Sequence, residues 1–228
     1  MCGIAGILNS RAAEPVRLVS EMIRAMRTRG PDDSGTWTEA ADGLGLGHVR
    51  LSILDLSPNG HQPMLSGSGR YVISYNGEVY NFADVRSELE SHGVRFYGHS
   101  DTEVMLAAIE RWGLQEAVSR FVGMFAFGLW DRETRQLSLV RDRLGIKPLY
   151  FGWAGRAFVF ASELKGIRCV REFDPQLHRG ALALFLRLAY VPAPFSIFQH
   201  VYKLMPGCIF TVTPELALTK EGFSPSPD

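Results

Sequence analysis

Cys2 stands directly behind the initiator Met1 and ahead of Gly3 in the opening run MCGIAGILNS. Buried, unreactive cysteine is common, so one reading of Cys2 is a small hydrophobe at the start of an edge strand. The other is chemical: removal of Met1 leaves one residue carrying both a thiol and a free α-amine. In model peptides a thiol titrates at about 8.5 and an α-amine at about 8, so the amine is a matched proton acceptor near neutral pH. Such a nucleophile carries its own base and needs no histidine.

Four further stretches hold groups that could serve such a nucleophile. Arg50, in HVRLSILDL, is either a solvent-facing strand arginine or a guanidinium fork for a small carboxylate. Asn76-Gly77, in SYNGEVYNF, carries a strong hairpin signal, a type I′ turn between alternating hydrophobics. The alternative is a pair of donors, a side-chain amide and an unobstructed backbone N–H, for a developing oxyanion. Asp101, in HSDTEV, suits the first turn of a helix through the macrodipole, or faces a ligand ammonium. His61, in NGHQPM, is a turn residue or a second candidate base. Singly, each structural reading is as good as its rival. Together the residues form a set that a free α-amino acid with a reactive side-chain carbonyl would need, and glutamine is the obvious candidate.

These residues must be held by strands and helices. Strand-like runs recur as CGIAGIL, LGLGHVRLSIL, RYVISYNGEVY, MFAFGLWD, RQLSLVRD, LYFGW, RAFVFASE and CIFTVT. FGWAGRAFVF reads as a hairpin turning around Ala154 and Gly155. Helical patterns lie between the groups. Val16, Val19, Met22, Ile23 and Met26 share a face after Pro15 and before Gly30. Ser100 and Glu103 form a capping box ahead of Val104, and FADVRSELESHG is a further helix stopped by glycine. Consecutive hairpin-like strands with inserted helices predict antiparallel sheets, stacked face to face between helical layers, over a doubly wound parallel sheet.

The chain has 228 residues, with 24 basic and 24 acidic side chains. This balance argues against nucleic acid or an anionic membrane as the main partner. Three scattered cysteines, Cys2, Cys169 and Cys208, suit a reducing cytoplasm and no disulfide framework. The histidines show no metal-binding spacing, and neither GxxxxGK[ST] nor a strand-to-helix GxGxxG occurs. No secretory leader is expected, and the apolar region ALALFLRLAYVPAPF is interrupted by Arg187 and prolines, which argues against a membrane span. The tail KEGFSPSPD has linker composition.

In order along the chain, MCGIAG, RGPDDSG, GHVRLSILDLSPNGHQPM, YNGEVYNF, SDTEV, GMFAFGLWD, RDRLGIKPLYF and FASELKGI resemble the glutaminase half of glutamine-hydrolysing asparagine synthetases. That half is a class II, N-terminal-nucleophile amidotransferase domain, and the resemblance runs from residue 1 to about Gly207. It implies an α+β fold, an αββα four-layer sandwich of two mostly antiparallel sheets. It implies Cys2 as nucleophile, Arg50 as clamp on the glutamine α-carboxylate, and Asn76 and Gly77 as oxyanion donors. Glu78 and Asp101 would surround the glutamine α-amine, and Leu51, Ser52, Ile53 and Leu54 would line the glutamine pocket, partly through backbone groups.

The implied organisation is an amidotransferase domain over 1–213 and a linker over 214–228, leading toward a synthetase domain absent from this sequence. The chain then reads as an isolated half, cut down or separately encoded, with RDRLGIKPLYF and FASELKGI partly exposed where the partner sits. No cofactor is expected in this chain; ATP and Mg belong to the synthetase domain, which activates aspartate and receives ammonia. Expected partners are L-glutamine and that domain or subunit, with a homodimer possible. The alternatives are the same chemistry with a different acceptor, or a noncatalytic module that binds glutamine or regulates a synthetase.

Overall fold

Strand alternation sets which face each residue presents, and through it the site. In β1 (Gly3–Leu8), Ile4 and Leu8 join a core that also holds Leu44 and Leu46 of β3 (Leu44–Arg50). The intervening Ala5 and Ile7, with Val49 of β3, point the other way into a separate cluster. β3 pairs antiparallel with β1, Gly3 opposite Val49, and with β2 (Asp33–Glu39). The structure, a computed structural model, describes residues 1–9, 15–52 and 57–219.

These strands belong to a six-stranded sheet in the order β10-β8-β9-β1-β3-β2, with β8 (Tyr150–Ala154), β9 (Ala157–Ala161) and β10 (Val201–Lys203). A five-stranded sheet runs β11-β7-β6-β5-β4, from β4 (Met64–Leu65), β5 (Tyr71–Val79), β6 (Gly123–Asp131), β7 (Gln136–Arg141) and β11 (Ile209–Val212). Every strand pairing in both sheets is antiparallel. The core between them mixes Ile4, Leu46 and Phe160 of one sheet with Val72, Trp130 and Leu139 of the other.

Helices cover both outer faces. α1 (Pro15–Ala25) and α5 (Leu164–Ile167) pack on the six-stranded sheet through Val19, Met22 and Ile167. Val16, expected on the buried face of α1, is 46% exposed, and Leu18 is buried in the helix instead. α2 (Phe82–Ser91), α3 (Asp101–Trp112) and α4 (Leu114–Arg120) cover the other sheet through Val85, Leu89, Val104, Ile109 and Ala117. The result is the expected αββα sandwich.

Two local readings change, and one helix joins the expected elements. Asn76-Gly77 is no hairpin turn: both lie inside β5, opposite Ala126 and Phe125 of β6. The apolar region near residue 182 contains a helix, α6 (Arg179–Leu188), in which Leu186 is 77% exposed. The segment from 214 does not begin as linker. Pro214–Thr219 form a helix, α7, whose Ala217 is fully buried in the inter-sheet core. The Trp153 indole N–H donates to the Ala217 carbonyl at 2.9 Å, so the packed body extends past residue 213. Residues 220–228 lie outside those described. Among the described residues no helix is long and apolar enough to cross a membrane.

Candidate active site

Register alone brings the candidate residues to one end of the inter-sheet gap. Continuing the β1–β3 register by one residue sets Cys2 opposite Arg50, and both belong to the even-numbered faces that turn inward. On β5 the inward residues are Val72, Ser74 and Asn76. Val72 lies in the inter-sheet core, and the Ser74 hydroxyl donates to Gly47 O of β3 at 2.9 Å. Asn76, two residues on, lines a cleft of about 170 Å³ together with Cys2, Arg50, Gly77 and Asp101.

Cys2 is fixed from several sides. Its carbonyl accepts a 2.8 Å hydrogen bond from Arg29 Nε, and Arg29 is tied in turn to Glu163 at 2.8 Å. Two residues on, Ile4 exchanges hydrogen bonds with Ser162, through its N–H to the hydroxyl and its carbonyl from the Ser162 N–H. The thiol sits against the Leu51 backbone: the Leu51 N–H donates to Sγ at 3.4 Å and Sγ contacts the Leu51 carbonyl at 3.7 Å. Met1 is 58% exposed at the cleft, so its removal requires no unfolding.

The side chain of Asn76 is 1% exposed, and its Nδ2 has no hydrogen-bond partner. A buried amide left open is costly and calls for an explanation, which an arriving acceptor supplies. Gly77 provides a second donor, as the alternation of an antiparallel ladder requires. The N–H and C=O of Phe125, opposite Gly77, are both spent on Asp142, at 3.2 and 2.8 Å. The 77/125 pair is therefore not hydrogen-bonded across β5–β6, and the Gly77 N–H points away from β6. Its neighbours in phase confirm the direction: Tyr75 N–H donates to Gln62 Oε1 at 2.7 Å and Val79 N–H to Asp101 Oδ2 at 3.1 Å. Glycine is required at 77, since a Cβ there would lie 2.4 Å from the Met124 carbonyl.

Opposite charges face each other across the cleft. Arg50 is 8% exposed, not solvent-facing; its guanidinium donates to Ser57 O at 3.1 Å and packs on Gly60. A Cβ on Gly60 would come within 2.0 Å of Arg50 Nη2, so only glycine leaves the guanidinium its place. Asp101 opens α3 behind Ser100, whose hydroxyl accepts from the Glu103 N–H at 3.3 Å. It is also buried, at 5% exposure, and lines the cleft. The Tyr75 hydroxyl donates to Asp101 at 2.6 Å. Burial pushes the Asp101 carboxyl up despite the bonds from Tyr75 and Val79. Burial, reinforced by Asp101, pushes the Tyr75 hydroxyl well above its usual value and keeps it a donor. A cation entering beside Glu78 and Asp101 would compensate this desolvated negative charge.

The residues 1–221 match a family model described as a glutamine amidotransferase domain. The chain belongs to that family. A putative glutamine-hydrolysing asparagine synthetase of Methanocaldococcus jannaschii is 36% identical over 222 residues, which cover 90% of this chain and 42% of that protein. Asparagine synthetase [glutamine-hydrolyzing] 1 of Bacillus subtilis is 37% identical over 223 residues, 96% of this chain and 34% of that protein. The amidotransferase domain thus spans less than half the length of these relatives. Among solved structures, glutamine phosphoribosylpyrophosphate amidotransferase of B. subtilis aligns with a TM-score of 0.65 at 23% identity, covering 74% of this chain and 43% of that one. This last likeness supports the fold.

Of the residues singled out from sequence, Cys2, Arg50, Leu51, Asn76, Gly77, Glu78 and Asp101 line the amidotransferase cleft. Ser52 does not line it; its N–H is tied to Asp32 at 2.8 Å. Ile53 and Leu54 lie outside the described residues. His61 is set apart from the thiol: half exposed, it holds Asp33 at 2.7 Å through Nδ1. Sequence reasoning missed Gln62, Tyr75, Thr102 and Lys147, all in the cleft wall. Gln62 and Thr102 are linked at 3.3 Å, which fastens the loop before β4 to α3. Lys147 carried a readable signal, a lone lysine inside the apolar run LGIKPLYF.

Proposed function

We propose that the chain is the glutaminase of a glutamine-hydrolysing asparagine synthetase. Once Met1 is removed, the Cys2 α-amine accepts the thiol proton, and the thiolate attacks the side-chain amide carbon of glutamine. The tetrahedral oxyanion accepts hydrogen bonds from Asn76 Nδ2 and Gly77 N–H. Collapse breaks the C–N bond, with the proton returned to the departing nitrogen, and leaves ammonia and a γ-glutamyl thioester on Cys2. Water then cleaves the thioester to glutamate and the free thiol. Arg50 holds the α-carboxylate, and Glu78 with Asp101 holds the α-ammonium. The observation that carries this reading is the open, buried amide of Asn76 in the cleft that holds the Cys2 thiol.

The ammonia passes to an ATP- and Mg-dependent synthetase partner that amidates aspartate. That assignment is supported by the relatives' names and by the share of their length that this chain does not cover. The cleft here presents two carboxylates, Glu78 and Asp101, beside the cations Arg50 and Lys147, a balance of charges suited to an amino acid rather than to a polyphosphate. Free Cys2, Cys169 and Cys208 suit a reducing compartment such as the cytoplasm. Incubating processed protein with glutamine and measuring glutamate tests the reading: wild type forms glutamate and Cys2→Ala does not. Equal turnover in the two would defeat it.

A further inference from the structure

At the end of β7, Arg141 and the following Asp142 hold a tight loop. The Asp142 carboxylate, 1% exposed, accepts backbone N–H bonds from Leu144 at 3.1 Å, Ile146 at 2.9 Å and Lys147 at 3.0 Å. The Arg141 guanidinium donates to the carbonyls of Gly145 at 2.7 Å and Lys147 at 2.8 Å. The loop so held inverts the usual partition of side chains. Leu144 is 79% exposed and Ile146 53%, whereas Lys147 is 5% exposed and lines the cleft with Cys2 and Glu78.

The Lys147 ammonium has no ion pair or hydrogen bond among the described residues. The lysine stem is buried in the cleft wall while its ammonium, with no protein partner, is left to interact with charge that arises in the cleft. The anions around it are mostly claimed. Asp142 is engaged by backbone donors, Asp101 by Tyr75 and Val79 on its Oδ2, and Glu163 by Arg29 and Lys165. Glu78, which also attracts the lysine, is taken together with Asp101 by the ligand ammonium in the glutaminase reading. The remaining negative charge in the cleft is the sulfur of Cys2 once it ionises.

We propose that Lys147 is the electrostatic counter-ion of the nucleophile, its ammonium stabilising the Cys2 thiolate that attacks the substrate. The proposal rests on Cys2 being the nucleophile of the glutaminase reading. The thiol proton goes to the Cys2 α-amine, and Lys147 keeps its own protons throughout. Consistent with this role, burial and then the Arg29 cation pull the lysine below its usual pKa, while Cys2, ahead of Glu78 and Asp142, draws it back up.

The test is the rate at which iodoacetamide, an uncharged reagent, alkylates Cys2 in Met1-processed protein, followed by mass spectrometry of the N-terminal peptide. Lys147→Met slows alkylation about tenfold or more at about pH 7, the effect of removing a nearby opposite charge. The deficit shrinks at about pH 9.5, where a thiol ionises without help. Lys147→Arg, which keeps the charge, stays within about threefold of wild type on the same scale. Wild-type rates in Lys147→Met overturn the proposal. So does a deficit that persists undiminished at the higher pH, or that Lys147→Arg shares, because each marks altered packing instead of lost charge. Wild-type protein with this lysine dependence but no glutamate production would overturn the glutaminase reading and leave the counter-ion intact.

Discussion

Replacing Asn76 by leucine, which keeps the branched shape and deletes the amide, should move activity and stability in opposite directions. Asn76 Nδ2 is buried with no partner, so the resting protein carries the desolvation cost of an unsatisfied donor, about 1–3 kcal/mol. Asn76→Leu removes that cost and adds apolar contact in the inter-sheet gap, so the protein should gain about 1–2 kcal/mol in urea unfolding. The same change removes an oxyanion donor. Loss of one such group costs roughly 10²–10³-fold in kcat, equivalent to roughly 3–4 kcal/mol of transition-state stabilisation. The assay is glutamate release at saturating glutamine, paired with urea melts of both proteins. A folded Asn76→Leu variant that retains more than about a tenth of wild-type kcat would refute the oxyanion role. A loss of stability of more than about 1 kcal/mol would show that the amide is satisfied in the resting protein.

Gly60→Ala tests the carboxylate clamp: the new methyl overlaps Arg50, so KM for glutamine should rise at least about tenfold with a smaller change in kcat. An unchanged KM would separate Arg50 from substrate binding. His48, fully buried with Nε2 3.0 Å from the Tyr75 carbonyl, has its pKa pulled by burial from 6.5 down to about 4. The folded state therefore binds this proton less tightly than the unfolded chain does. The contribution is complete above pH 6.5 and is lost as pH falls toward 4, about 3 kcal/mol in all. Urea melts at about pH 7 and about pH 4.5 should show His48→Gln with a shallower pH dependence than wild type; parallel curves would contradict the assignment. His61→Ala should leave glutamine turnover within about twofold of wild type, because the imidazole is engaged with Asp33 outside the cleft. Loss of turnover in that variant, with none on blocking the N-terminus, would move the base to His61.

Much of this architecture was legible because strand alternation and helix caps are local. The Ala154–Gly155 hairpin, the Ser100 cap and the antiparallel sandwich follow from patterns a few residues long. What escaped depended on distant contacts. β2, DSGTWTE, carries little apolar alternation, and its pairing with β3 decides its strand character. α6 was hidden by having apolar residues on nearly every side. Asn76-Gly77 is the instructive case. The dipeptide favours a hairpin locally, but nine consecutive pairs with β6 override it and leave both residues in the wall of the cleft. The wall residues Gln62, Thr102 and Lys147 come from separate loops and one helix, and no spacing in the sequence links them to Cys2.

The covalent intermediate is the most direct test. Processed protein mixed briefly with glutamine, quenched in acid and digested should yield an N-terminal peptide carrying one γ-glutamyl group on Cys2. The adduct should disappear with hydroxylamine and be absent from protein that retains Met1. Steady glutamate production with no adduct on that peptide, or an adduct formed equally well with Met1 in place, would contradict a terminal cysteine that acts with its own amine as base.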